Sequence, residues 1–168
     1  MKLCFLGDSL IEYYDWQARF PGHTVDNLGI SGETTAELLF RIPYLDLTTE
    51  APDCVIIMTG TNDILMNTNF LPTYEQIVIS IRQLLPKTSL VACGLFPMTI
   101  SWMAQGSIPQ INAELKALCL RYKIGYLDGD RLIPDAMTSH LFFLEDGVHL
   151  TPHGYTVWSK AITRHLHL

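Results

Sequence analysis

Five short apolar runs, at residues 2–6, 24–28, 54–59, 90–95 and 125–127, alternate with stretches at 34–41, 73–85 and 108–122 whose apolar side chains recur at helical spacing. The third run constrains the fold most, because Cys54-Val55-Ile56-Ile57-Met58 is apolar at odd and even positions alike. A strand with one face in water would alternate, so this one needs cover on both faces, and helices that cross over between parallel strands supply it. The pattern predicts a three-layer α/β/α sandwich around a five-stranded parallel sheet. A last helix is expected from about residue 151 to 165, with Thr151 as N-cap and Pro152 in the first helical position, where a missing N–H costs nothing.

In open sheets of this kind ligands sit beyond the carboxyl ends of the strands. Four segments fall there: Ser9 after the first run, 29–32 after the second, 61–63 after the third and 96–103 after the fourth. With 168 residues, 48% of them hydrophobic, the chain is expected to form one domain over residues 1–168 that buries roughly 70% of its unfolded surface. No repeat, low-complexity tract or Pro/Gly-rich linker divides it.

A net charge of −6 without a Lys/Arg cluster lacks the electrostatic footprint of a nucleic-acid binder, so no nucleic acid partner is expected. Cys4, Cys54, Cys93 and Cys119 stand singly in apolar contexts and read as buried free thiols. The stretch Leu3-Cys4-Phe5-Leu6 is too short for the core of a signal peptide, and no run approaches the roughly 18 residues of a membrane-spanning helix. The expectation is a cytoplasmic protein with no stable membrane anchor.

The chemistry-bearing residues lie at those strand ends and just before the last helix. Gly7-Asp8-Ser9-Leu10 follows the first strand and can expose a serine hydroxyl, a weak nucleophile until a base within hydrogen-bond reach takes its proton. Glu145-Asp146-Gly147-Val148-His149-Leu150 places a carboxylate three residues before a histidine, with Gly147 relaxing the turn so that both can point one way. Gly60-Thr61-Asn62-Asp63 offers the Asn62 amide to a developing oxyanion, and Asn27-Leu28-Gly29-Ile30-Ser31-Gly32 lets the Gly32 backbone approach a substrate. Taken singly, each segment is weak: a capped turn is the commoner reading of the first, a surface turn with an incidental histidine that of the second, and turn chemistry explains Asn62-Asp63 equally well.

In this order the four segments resemble the SGNH hydrolases, also called the GDSL esterase and lipase family, over nearly the full chain. The resemblance implies a flavodoxin-like sandwich, Ser9 as nucleophile, His149 as general base and Asp146 as its orienting partner. It also implies an oxyanion hole of the Ser9 N–H, the Gly32 N–H and the Asn62 side-chain amide. Asp8 and Asp63 read as structural, Asp8 as a holder of loop backbone.

Rival chemistries are poorly supported. No Gly-x-Ser-x-Gly elbow occurs, His149 and His153 have Pro152 and Gly154 beside the second histidine and no third zinc ligand, and no phosphate-cradling glycine loop is present. Neither a metal nor a cofactor is expected. His23, His140, His165 and His167 read as solvated or capping residues.

The expected substrate is a small acyl ester or thioester, lysophospholipids included, as the resemblance to small lysophospholipase and thioesterase members implies. A candidate acyl wall comprises Phe96, Met98 and Trp102 in the loop after the fourth strand, Met66 and Phe70 after the third motif, and Leu144 and Val148 beside the base; core packing explains such residues equally well. Two alternatives stand beside the esterase: a carbohydrate O-acetyl esterase using Tyr13, Tyr14 and Trp16 as sugar platforms, and a non-catalytic small-ligand binding protein.

Overall fold

A computed structural model describes residues 1–98, 107–133 and 139–168 of the chain. The apolar runs become β1 (Lys2–Gly7), β2 (Thr24–Gly29), β3 (Cys54–Met58), β4 (Ser89–Cys93) and β5 (Gly125–Leu127). All pair in parallel in the order β2-β1-β3-β4-β5, the flavodoxin-like arrangement. Every residue of β3 is buried, as its unbroken apolar run requires, whereas β2 lies at the sheet edge and stays partly open. Strand order reverses between β1 and β3, so the segments after those two strands flank the crevice where such sheets bind ligands.

The long helices follow the expected periodicity with shifted ends. They are α3 (Thr35–Arg41), α5 (Leu71–Leu84), α6 (Ser107–Tyr122) and α9 (Pro152–Leu166). Thr34 is the N-cap of α3 and forms a capping box with Glu37, and Thr151 caps α9 through a bond from the Gly154 N–H. Tyr74, Ile77, Val78 and Ile81 give α5 one buried face. Among the described residues, five short helices lacked a sequence signal because one turn shows no period: α1 (Ser9–Glu12), α2 (Trp16–Arg19), α4 (Thr61–Leu65), α7 (Gly129–Leu132) and α8 (Ser139–Phe142), along with a 3-10 turn at Ile42–Tyr44.

The fourth strand ends two residues earlier than its apolar run. Asn112 is buried in α6 and substitutes for a strand neighbour: it accepts the Leu95 N–H and donates to the Leu95 carbonyl, both at 2.8 Å. These bonds satisfy the backbone as it leaves the sheet.

Helices cover both faces of the sheet. On one, α1, α2 and α9 enclose an aromatic cluster in which Trp16 stacks on Phe5 at 4.2 Å and meets Trp158 edge-on at 5.0 Å. Truncating a buried ring of this size typically costs about 3–5 kcal/mol. On the other face, α3, α5 and α6 pack side by side. All four cysteines are free and buried, and burial pushes their thiols up to about 12, which keeps them protonated. Among the described residues no helix is long and apolar enough to cross a membrane.

Candidate active site

The first strand ends against the third. A Cβ added to Gly7 would lie 1.8 Å from the Met58 carbonyl oxygen, so only glycine lets the two exits approach this closely. Asp8 then caps α1, its Oδ1 accepting the Leu10 N–H at 3.0 Å, which is the loop-holding role expected of it. Asp8 is fully buried, and its Oδ2 has no hydrogen-bond partner among the described residues. Burial pushes its carboxyl up to about 7, against the opposing pull of the Leu10 N–H, the nearby Thr61 hydroxyl and His149.

Ser9 follows at 5% exposure, with its Oγ 2.9 Å from His149 Nε2. On the far side of the ring, His149 Nδ1 lies 2.7 Å from Asp146 Oδ2. Asp146 Oδ1 accepts the backbone N–H groups of Val148 and His149, both at 2.9 Å, and Gly147 takes the positive φ of +70° that this turn needs. Partial burial alone would raise the Asp146 pKa, but the bonds from the His149 ring and the two N–H groups outweigh it and hold the carboxyl below its ordinary value. An ionised Asp146 can only accept, so Nδ1 carries the proton it donates. The Nε2 lone pair is then left to accept from the Ser9 hydroxyl.

The segment after β2 is held from three directions. The Ile30 N–H donates to the Gly7 carbonyl at 2.9 Å, the Ser31 N–H donates to Glu12 Oε2 at 2.7 Å, and Asn62 Nδ2 donates to the Glu33 carbonyl at 2.9 Å. Between these anchors Gly32 has φ +78°, and its N–H makes no hydrogen bond among the described residues. Among the described residues, no partner takes the second amide hydrogen of Asn62. Since Gly7 pairs with both Gly29 and Met58 across the sheet, the segments bearing Ser9, Gly32 and Asn62 leave from neighbouring strand ends.

Several supports of this loop were missed in the sequence. Asp63, read only as structural, is buried and accepts both the Thr35 N–H at 2.9 Å and the Thr35 hydroxyl at 2.8 Å, pinning the start of α3 to α4. Arg41 closes a two-pronged pair on Glu33, whose side chain is 3% exposed, and also donates to the Leu28 carbonyl. Tyr13 packs its ring beside that of His149. Spacing gave no signal for any of these, because none links two positions on one helix or strand.

The candidate acyl wall divides. Phe70 and Phe96 are each 1% exposed and belong to the core: Phe70 packs over Gly60 and Tyr74, and Phe96 meets Trp158 edge-on at 5.2 Å. Met98 is buried as well, so these three side chains fill the space beneath the loops rather than facing out of it. Met66 and Leu144 are exposed, Val148 is half-buried within the Asp146 turn, and Trp102 lies outside the described residues. Of the three aromatic residues considered as sugar platforms, Trp16 is fully buried and Tyr14 stacks on Tyr155 at 4.5 Å, leaving Tyr13 alone in the open. No group of three or more His, Cys, Asp or Glu side chains that could hold a metal occurs among the described residues.

A parallel 2-1-3-4-5 sheet carrying these segments at its carboxyl edge is the frame of one hydrolase class, and the chain belongs to the GDSL-like lipase/acylhydrolase family, whose model matches residues 5–157. The platelet-activating factor acetylhydrolase IB subunit alpha1 of Rattus norvegicus is 29% identical over 184 aligned positions, covering 96% of this chain and 73% of that one. The human subunit alpha2 of the same name is 27% identical, with 94% and 72% covered. Among solved structures, one from Streptococcus pneumonia whose name refers to platelet activating factor superposes with a TM-score of 0.85 at 26% identity, covering 98% of this chain and 83% of that one. An acetyl xylan esterase variant from Geobacillus stearothermophilus shares the fold, with a TM-score of 0.78 at 20% identity over 98% and 94% of the two chains.

Proposed function

We propose that this protein is a carboxylic ester hydrolase working through an acyl-enzyme on Ser9, with a small acyl ester as substrate. The observation that carries this reading is the relay of two short hydrogen bonds, Ser9 Oγ to His149 Nε2 at 2.9 Å and His149 Nδ1 to Asp146 Oδ2 at 2.7 Å. Ser9 Oγ attacks the ester carbonyl carbon while His149 Nε2 takes the hydroxyl proton. The carbonyl oxygen becomes an oxyanion facing the Ser9 N–H, the Gly32 N–H and the uncommitted Asn62 amide hydrogen. Collapse of the tetrahedral intermediate breaks the bond to the alcohol, which leaves with the proton from His149. Water then attacks the acyl-Ser9 carbonyl, gives its proton to His149, and the acid departs as Ser9 recovers its hydrogen.

The name acetylhydrolase on relatives at 27–29% identity favours a short acyl group. Burial of Phe70, Phe96 and Met98 agrees with that preference, since these bulky side chains do not line an open acyl channel. The test is labelling by a fluorophosphonate probe, together with hydrolysis of p-nitrophenyl esters of increasing chain length. Ser9 is the expected site of labelling, with acetate or propionate the fastest substrate. A protein that resists the probe is a binding protein on this fold, and a rate that climbs with chain length removes the short-acyl preference.

A further inference from the structure

Two hydrogen bonds fix the His149 ring along the line of its nitrogens, but neither stops the ring from tilting about that line. Tyr13 lies against the ring: the centroids are 5.4 Å apart and the planes meet at 30°. Its position follows from the nucleophile's own turn, because Tyr13 is the C-cap of α1 and its N–H donates to the Ser9 carbonyl at 3.0 Å. The phenol hydroxyl is 2.8 Å from Ser31 Oγ, and the Ser31 N–H donates to Glu12 Oε2 at 2.7 Å. Consecutive side chains at the end of α1 thus grip the residue just before Gly32. A tyrosine that is 59% exposed contributes little to the core, so packing does not account for this placement.

We infer that Tyr13 is a positioning residue of the hydrolytic site, bracing the face of the His149 imidazole and, through Ser31, the loop that presents the Gly32 N–H. This rests on the roles proposed above for Ser9, His149 and Asp146. The contact favours the transition state over the ground state, because the imidazole gains a proton as Ser9 attacks and an aromatic face attracts a cation more than a neutral ring. The hydroxyl bond to Ser31 carries no such dependence and acts on loop geometry alone. Base and oxyanion loop are therefore held to one ring.

The experiment measures p-nitrophenyl acetate and butyrate turnover together with the rate of fluorophosphonate labelling, which reports the attack step alone. Wild-type protein, Ser9→Ala and His149→Ala come first. Labelling at Ser9 that is lost in Ser9→Ala and slowed in His149→Ala secures the underlying roles, whereas a wild type that does not label removes those roles and this inference with them. With labelling in place, Tyr13→Ala is expected to lower kcat and the labelling rate together by about three- to ten-fold, with KM changed by less than about two-fold for both esters. Tyr13→Phe should recover most of the loss. Ser31→Ala should match Tyr13→Phe, and the two combined should cost no more than either alone, because they break one bond. The inference is overturned if Tyr13→Ala leaves kcat and labelling unchanged, if it raises KM alone as a substrate platform would, or if Tyr13→Phe is as damaging as Tyr13→Ala.

Discussion

The two sides of the site are built differently. On the side of Gly32 and Asn62, the loop is moored to buried groups: Asp63 and Glu33 are nearly inaccessible; Asp63 holds Thr35 across from the exit of β3 to that of β2, and Glu33 holds Arg41 at the far end of α3. On the side of His149, Asp146 is 48% exposed and His149 itself is 29% exposed. The turn there is held by its own backbone, through Asp146 Oδ1, the Gly147 N–H on the Leu144 carbonyl and a single antiparallel bridge between Phe143 and Leu150. The difference teaches where stability and activity part company. A buried clamp contributes to folding and to site geometry together, while an exposed local turn sets geometry at little cost to the fold.

Substitutions on the two sides should divide accordingly. Asp146→Asn keeps an acceptor for the Val148 and His149 N–H groups but loses the charge that sets the imidazole tautomer. It should lower kcat by on the order of 10³–10⁴, with stability in urea changed by less than about 1 kcal/mol. A drop in stability as large as that of a core variant would erase the distinction. Asn62→Ala comes next, with a loss of about 10²–10³ in kcat at nearly constant KM, as expected for an oxyanion donor. A loss below ten-fold would take Asn62 out of that role.

Asp63→Ala tests the buried side directly. It strands the Thr35 N–H and hydroxyl in the interior, so urea unfolding should show about 2–4 kcal/mol of lost stability, accompanied by reduced turnover as the loop before α3 loosens. Full activity in a destabilised variant would separate the clamp from the site. A further test on the buried side concerns Asp8. Its folded pKa is raised above that of an unfolded aspartate, so the native state holds the proton more tightly and stability declines as pH rises from about 4 to about 7. Asp8→Asn, which retains an oxygen for the Leu10 N–H, should flatten the melting temperature across that window. An unchanged slope would mean that Asp8 is not its source.

The sequence placed Ser9, Asp146 and His149 because their motifs are local: each sits at a strand exit or in a turn whose glycine and capping residues can be read from neighbours. The parallel sheet was legible for a related reason, since an apolar run like that of β3 leaves few alternatives to two-sided cover. Phe70 and Phe96 were not legible in the same way. An aromatic residue in a loop looks alike whether it lines a groove or plugs the space below it, and only the neighbouring Gly60 and Trp158 decide. The short helices α1 and α4 escaped notice because a single turn carries no periodicity. Among the described residues considered for substrate contact, Met66, Leu144 and Tyr13 are the exposed ones.

Sequence alone thus determined the layered architecture, the free buried cysteines and the candidate chemistry, because hydrophobic period, capping residues and motif spacing act over a few residues at a time. What tertiary structure decided is how distant residues meet. It alone brought His149 Nε2 to Ser9 across 140 residues of chain, joined Asp63 to Thr35 and Glu33 to Arg41, and laid Tyr13 beside the His149 ring. Apart from the Glu33–Arg41 pair, which lies within one segment, those contacts join segments that only the assembled sheet brings side by side, and no local pattern records which loops the sheet will make neighbours.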